Sequence, residues 1–155
     1  MSDKATAENL FRDLGPLLDP AAIVYDEAES RWAVVIDQTT RIDVGYGDGA
    51  EQLVFALDLG PVPDQTADQV HELLLRFSYV WRETGGLYGA LDAEGRATLM
   101  YTCAVQGLDV QRLQTLLRNL LDHRRLWADL IARSETDAIA GAAIDGPAPF
   151  GAIKV

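Results

Sequence analysis

The spacing of apolar positions along this chain changes several times, and each change marks a structural element. From Thr6 to Leu14 the residues Leu10, Phe11 and Leu14 fall at helical spacing, and Gly15-Pro16 ends the run. Ala22 to Asp26 is apolar and partly β-branched, and Glu27-Ala28-Glu29-Ser30 turns the chain. Trp32 to Ile36 predicts a second strand, continuing or kinking through Gln38-Thr39-Thr40 into Ile42, Val44 and Tyr46. Gly47-Asp48-Gly49 supplies the next hairpin turn. Leu53, Phe55, Leu57 and Leu59 alternate with Val54, Ala56 and Asp58, a period-two strand that Pro61 and Pro63 terminate. Thr66 to Glu83 predicts a helix with Thr66 at its N-cap and Gly85-Gly86 closing its C-terminal end. Leu87 to Leu91 and Ala97 to Val105 predict strands joined by the turn Asp92-Ala93-Glu94-Gly95. Asp109 to Arg133 predicts a long amphipathic helix through Val110, Leu113, Leu117, Leu120, Trp127 and Ile131. The order α-β-β-β-α-β-β-α implies the α+β class, an antiparallel twisted sheet with helices packed on one side.

Beyond Arg133 the pattern fades. Residues 134–155 hold Ala, Gly and Pro with only Glu135, Asp137, Asp145 and Lys154 charged, which predicts a domain over 1–133 and a flexible tail over 134–155. With 155 residues the chain buries about two-thirds of its unfolded surface, enough for one core.

Charge narrows the class of partner. Thirteen Lys and Arg stand against 24 Asp and Glu, a net charge of −11, which repels nucleic acid and anionic lipid. Cys103 stands alone, so neither an internal disulfide nor a multi-cysteine metal site can form. Met1 to Ala7 lacks the basic-then-apolar pattern of a signal peptide, and no apolar run approaches a membrane span. A reducing cytoplasm is the expected location.

No catalytic set assembles. Gly45, Gly47 and Gly49 precede a strand, whereas a phosphate loop needs a helix N-terminus directly after its glycines, so they read as a hairpin. Cys103 lies mid-strand on the face carrying Leu99, Tyr101 and Val105, the setting of a buried and inert thiol. His71 and His123 lie on different helices with no ligand at metal-binding spacing, and each reads as a helix-surface or partly buried imidazole. The clusters Asp26-Glu27-Ala28-Glu29 and Asp43 with Asp48 match no cation loop. The expectation is a protein with no enzymatic activity, cofactor or metal.

What remains is surplus apolar surface. The second helix carries Val70, Leu73, Leu74, Leu75, Phe77, Tyr79, Val80 and Trp81, more than the roughly 100°-wide stripe a surface helix needs. Leu73, Phe77, Val80 and Trp81 suffice for the core, which leaves Leu75 and Tyr79 for a subunit interface.

Over residues 8–133 this order of elements resembles the class I type III secretion chaperones, the family of the Tir chaperone. The stretch Phe77-Ser78-Tyr79-Val80-Trp81-Arg82-Glu83-Thr84-Gly85-Gly86-Leu87-Tyr88 is similar to the family's helix ending in a glycine pair before a short strand. Asp58-Leu59-Gly60-Pro61-Val62-Pro63 is similar to its strand exit into that helix, and the strand from Ala97 to Val105 followed by a long last helix also matches. The resemblance implies a bacterial cytoplasmic homodimer that binds the N-terminal segment of a secreted effector and keeps it secretion-competent. It implies an interface with Leu75, Tyr79, Leu87 and Tyr88, and effector-binding pockets drawn from Leu10, Phe11, Leu14, Ile23, Tyr25, Trp32 and Val34. About half of the latter should serve the core, because one face of each element packs inward. A YbjN-like regulatory domain that binds a folded partner is the alternative; a small hydrolase using Cys103 or His123 ranks last.

Overall fold

The computed structural model describes residues 3–18, 22–47 and 49–140. Three α-helices and six strands follow one another: α1 (Asp3–Leu14), β1 (Ala22–Asp26), β2 (Arg31–Val35), β3 (Arg41–Gly47), β4 (Gln52–Asp58), α2 (Ala67–Tyr79), β5 (Tyr88–Leu91), β6 (Ala97–Ala104) and α3 (Val110–Ala140). The strands form one antiparallel sheet in the order β1-β2-β3-β4-β6-β5, so β1 and β5 are its edges. This is the α+β class expected from the pattern.

Four boundaries differ from the sequence reading, each for a local reason. The single kinked strand from Trp32 to Tyr46 is two strands, β2 and β3. The Asp37 carboxylate turns the chain between them by accepting the Thr39 N–H at 2.7 Å, the Thr39 hydroxyl at 2.9 Å and the Thr40 N–H at 2.8 Å. Those bonds hold its pKa below the usual 3.8.

The second helix stops at Tyr79 instead of Glu83, and residues 80–86 form turns closed by the Gly86 N–H donating to the Trp81 carbonyl at 2.7 Å. Gly85 (φ 72°) and Gly86 (φ 103°) provide the left-handed backbone such an ending requires. At the other end, Thr66 occupies the N-cap position, but its hydroxyl donates to the Pro63 carbonyl and makes no capping bond to the helix. The last helix runs past Arg133 to Ala140, and the remainder of the expected tail, residues 141–155, lies outside the described residues, as does Asp48.

The chain divides into two compact units, Met1–Leu57 with Tyr101–Leu120 and Asp58–Met100 with Leu121–Val155. In the first, Ala7, Leu10, Phe11 and Leu14 of α1 are buried at i, i+3, i+4 and i+7, one helical stripe. Ile42, Val44, Leu53, Phe55 and Leu57 are completely inaccessible, and Leu113, Leu117 and Leu120 extend this core.

The second unit packs Val70, Leu74, Phe77, Leu87, Leu99, Trp127 and Ile131, with the Phe77 and Trp127 rings edge to face at 5.4 Å. Trp81, expected in the core, is 48% exposed, because the helix has ended before it and the following turns carry it off the buried stripe.

Candidate binding groove

Helical spacing puts Glu8, Phe11, Arg12 and Gly15 along one side of the first segment, and strand alternation puts Ile23 and Tyr25 on one face of β1. Together with Trp32 of β2 they line a groove of about 560 Å³. Its wall is an aromatic stack: Phe11 lies nearly parallel to Trp32 (ring centroids 4.6 Å apart, 16° between planes), and Tyr25 tilts against the same indole at 5.3 Å. The β1–β2 register sets Tyr25 directly opposite Trp32, which makes the second contact a cross-strand pair. Phe11 and Trp32 are buried, Ile23 is half-buried and Tyr25 is 39% exposed, so β1 offers the accessible part of the wall.

Of the residues singled out from sequence, the groove brings together Phe11, Ile23, Tyr25 and Trp32. Leu10, Leu14 and Val34 do not line it and are buried among the core residues. Glu8, Arg12 and Gly15 escaped the sequence reading, which weighed apolar positions only. Their signal was present, because they stand at i−3, i+1 and i+4 from Phe11.

Rim electrostatics are uneven. Arg12 donates to the Asn9 side-chain oxygen at 2.8 Å and sits in the last turn of α1, where a cation is favoured by the helix dipole. Glu8 is half-buried and has no ion-pair partner among the described residues. Beyond Tyr25, the Asp26 carboxylate accepts the N–H groups of Ala28 and Glu29, leaving Glu27 and Glu29 exposed at the turn.

The two sheet edges are not equivalent. On β5, the Gly89 N–H donates to the Ser78 hydroxyl oxygen at 2.9 Å, and that hydroxyl lies 2.9 Å from the Gly89 carbonyl. Helix α2 thereby occupies the outward polar groups of the edge. Strand β1 pairs only with β2 and carries an exposed Val24 (55%) on the face away from Tyr25.

A second apolar surface belongs to the other unit. Leu75 (73% exposed) and Tyr79 (88%) stand one helical turn apart on α2. Trp81 and Leu91 are exposed in the same unit, with the Arg82 guanidinium 5.1 Å from the Trp81 ring centre. Tyr88 is half-buried, whereas Leu87 is fully enclosed in its own unit and presents no surface.

Chemistry elsewhere is sparse. Burial pushes the half-buried Cys103 thiol up to about 11, the direction opposite to activation. His123 is more deeply placed than expected, with both ring nitrogens lacking hydrogen-bond partners among the described residues, and burial lowers its pKa. Among the described residues no group of His, Cys, Asp or Glu could hold a metal ion, and no helix is long and apolar enough to cross a membrane.

Solved structures share this fold. A HopA1–SchA chaperone–effector complex contains a chain 20% identical to this one, with 81% of this chain and 95% of that chain covered and a TM-score of 0.67. In an ExsC–ExsE complex the matching chain is 19% identical, with 84% and 97% covered and a TM-score of 0.71. The Yersinia pestis type III secretion chaperone SycH, in complex with a fragment of YscM2, gives 20% identity, 77% and 97% coverage and a TM-score of 0.58. A search of curated proteins finds no match. The family model for the Tir chaperone protein (CesT) family matches residues 13–128, which takes in the β1–β2 wall of the groove and both units, and on that match the chain belongs to this family.

Proposed function

We propose that this protein is a type III secretion chaperone, a non-catalytic homodimer of the bacterial cytoplasm that holds the N-terminal segment of a secreted effector and keeps it soluble and export-competent. The observation that carries this reading is an apolar groove beside the open edge strand β1 in a chain of this family. An extended segment can pair its backbone with such an edge and seat alternate side chains in the groove. Ile23, Tyr25, Phe11 and Trp32 are then the contact set, and Leu10, Leu14 and Val34 hold that set in place from the core. Leu75, Tyr79 and Tyr88 form the dimer contact in this reading, with Leu87 supporting them from beneath. The reading requires no cofactor, nucleic acid or membrane.

Limited proteolysis of the N-terminal segment of a protein exported by the same host tests it. The free segment is expected to be digested and to become protected when mixed with this protein. Ile23→Asp and Tyr25→Asp, both at accessible positions, should remove the protection without unfolding the chain. A segment that resists digestion by itself, or protection unaffected by both substitutions, would overturn the reading.

A further inference from the structure

The groove carries information about its occupant beyond being apolar, and the inference drawn here rests on the function proposed above. We propose that it selects an extended segment that places a large apolar side chain over Gly15 and a basic side chain beside it, facing Glu8.

Gly15 lines the groove, and a Cβ built there would meet no atom within 4 Å outside its chain neighbours. Its φ is not in the left-handed region, so the space is open without a backbone reason for it. The following Pro16 disfavours a side chain in a helical residue before it, a cost that alanine and leucine would share. What leucine adds is volume in the groove. Gly15 therefore leaves to the occupant the room that a side chain of this protein would fill.

Charge decides the neighbouring position. Covering the groove strips water from Glu8 and Arg12 alike. Arg12 keeps the Asn9 oxygen at 2.8 Å, whereas Glu8 has no cation among the described residues to offset its desolvation. A basic group on the occupant supplies one. The exposed Glu27 and Glu29 past the end of β1 and the net charge of −11 favour approach of the same sign of segment.

An array of short synthetic peptides of random sequence, probed with the purified full chain, tests the proposal. Peptides retained by the wild type should be enriched in Lys or Arg close to a large apolar residue. Glu8→Gln should weaken the basic peptides about three- to fivefold, the value of a partly exposed ion pair. Glu8→Lys should turn the preference towards acidic peptides. Gly15→Leu should lower retention about ten- to hundredfold, the value of one buried apolar side chain. Gly15→Ala, which shares the Pro16 cost, should retain binding, and matching urea midpoints for the two glycine variants confirm that both fold. Peptides retained through Ile23 and Tyr25 without a basic preference, or equally by Gly15→Leu, overturn this inference and leave the chaperone reading intact. Peptide retention indifferent to Ile23→Asp and Tyr25→Asp overturns both.

Discussion

Two side chains, Cys103 and His123, attract attention in a search for chemistry, and both have their pKa moved away from reactivity by burial. At a pKa of about 11, the Cys103 thiol carries almost no thiolate near pH 8. Its alkylation by iodoacetamide should run at least about tenfold slower than that of free cysteine, rise towards pH 11, and become fast in urea. Fast labelling of the native protein at pH 8 would show the thiol to be activated.

His123 gives a pH signature whose sign follows from its lowered pKa. Above the ordinary value of 6.5 both folded and unfolded states hold a neutral ring, and the residue contributes no pH dependence. Below 6.5 the unfolded chain takes up a proton first, so stability falls until the lower folded pKa is passed. His123→Leu removes a buried ring whose nitrogens have no hydrogen-bond partners among the described residues. The difference in urea midpoint between variant and wild type should therefore widen in favour of the variant as pH falls from 7 towards 5.5. A constant difference across that range would place the pH dependence elsewhere.

At the scale of elements, the contact between α2 and β5 is held by absence of a side chain. A Cβ at Gly89 would come within 2.6 Å of Leu74 Cδ2, 3.1 Å of Leu74 Cβ and 3.2 Å of the Leu74 carbonyl oxygen. The leucine tip can rotate, but the backbone oxygen cannot yield without moving the helix. Gly89→Ala should cost about 1–3 kcal/mol in urea denaturation. Ser78→Ala should also destabilise, because it leaves the Gly89 N–H without its partner. Unchanged midpoints for both would mean that the strand tolerates separation from the helix.

This contact shows where sequence reading stops. The alternation of Leu53, Phe55 and Leu57 announces β4 because each of these residues is fully buried on one face. The split of β2 from β3 was hidden because Asp37 turns the chain with side-chain bonds, without a glycine or proline to mark the place. Likewise Trp81 was read as a continuation of the helix, since hydropathy does not record that the backbone leaves helical geometry after Tyr79. In the groove, Phe11, Ile23, Tyr25 and Trp32 were legible as apolar positions, but not their separation from the buried Leu10, Leu14 and Val34. That separation depends on which strand faces which helix, and no local pattern encodes it.

At the scale of the whole molecule, the proposed self-association and the proposed client binding oppose each other in their response to salt. Each copy carries a net charge of −11, so two copies repel one another while Leu75 and Tyr79 supply apolar attraction. A client that brings a cation to Glu8 is instead drawn in by the same field. Raising salt from about 0.01 M to about 0.1 M shortens the screening length from about 30 Å to about 10 Å. The dimer should tighten over that interval, read as a rise in mass by light scattering at fixed protein concentration, while the basic peptides should bind more weakly. Leu75→Glu combined with Tyr79→Glu should give a monomer at every salt concentration, because both positions are exposed and the new charges add to the existing repulsion. Peptide retention by that monomer should persist, since its substitutions lie outside the groove. A double variant that remains dimeric would move the interface away from α2, and parallel salt responses would show that one surface serves both kinds of partner.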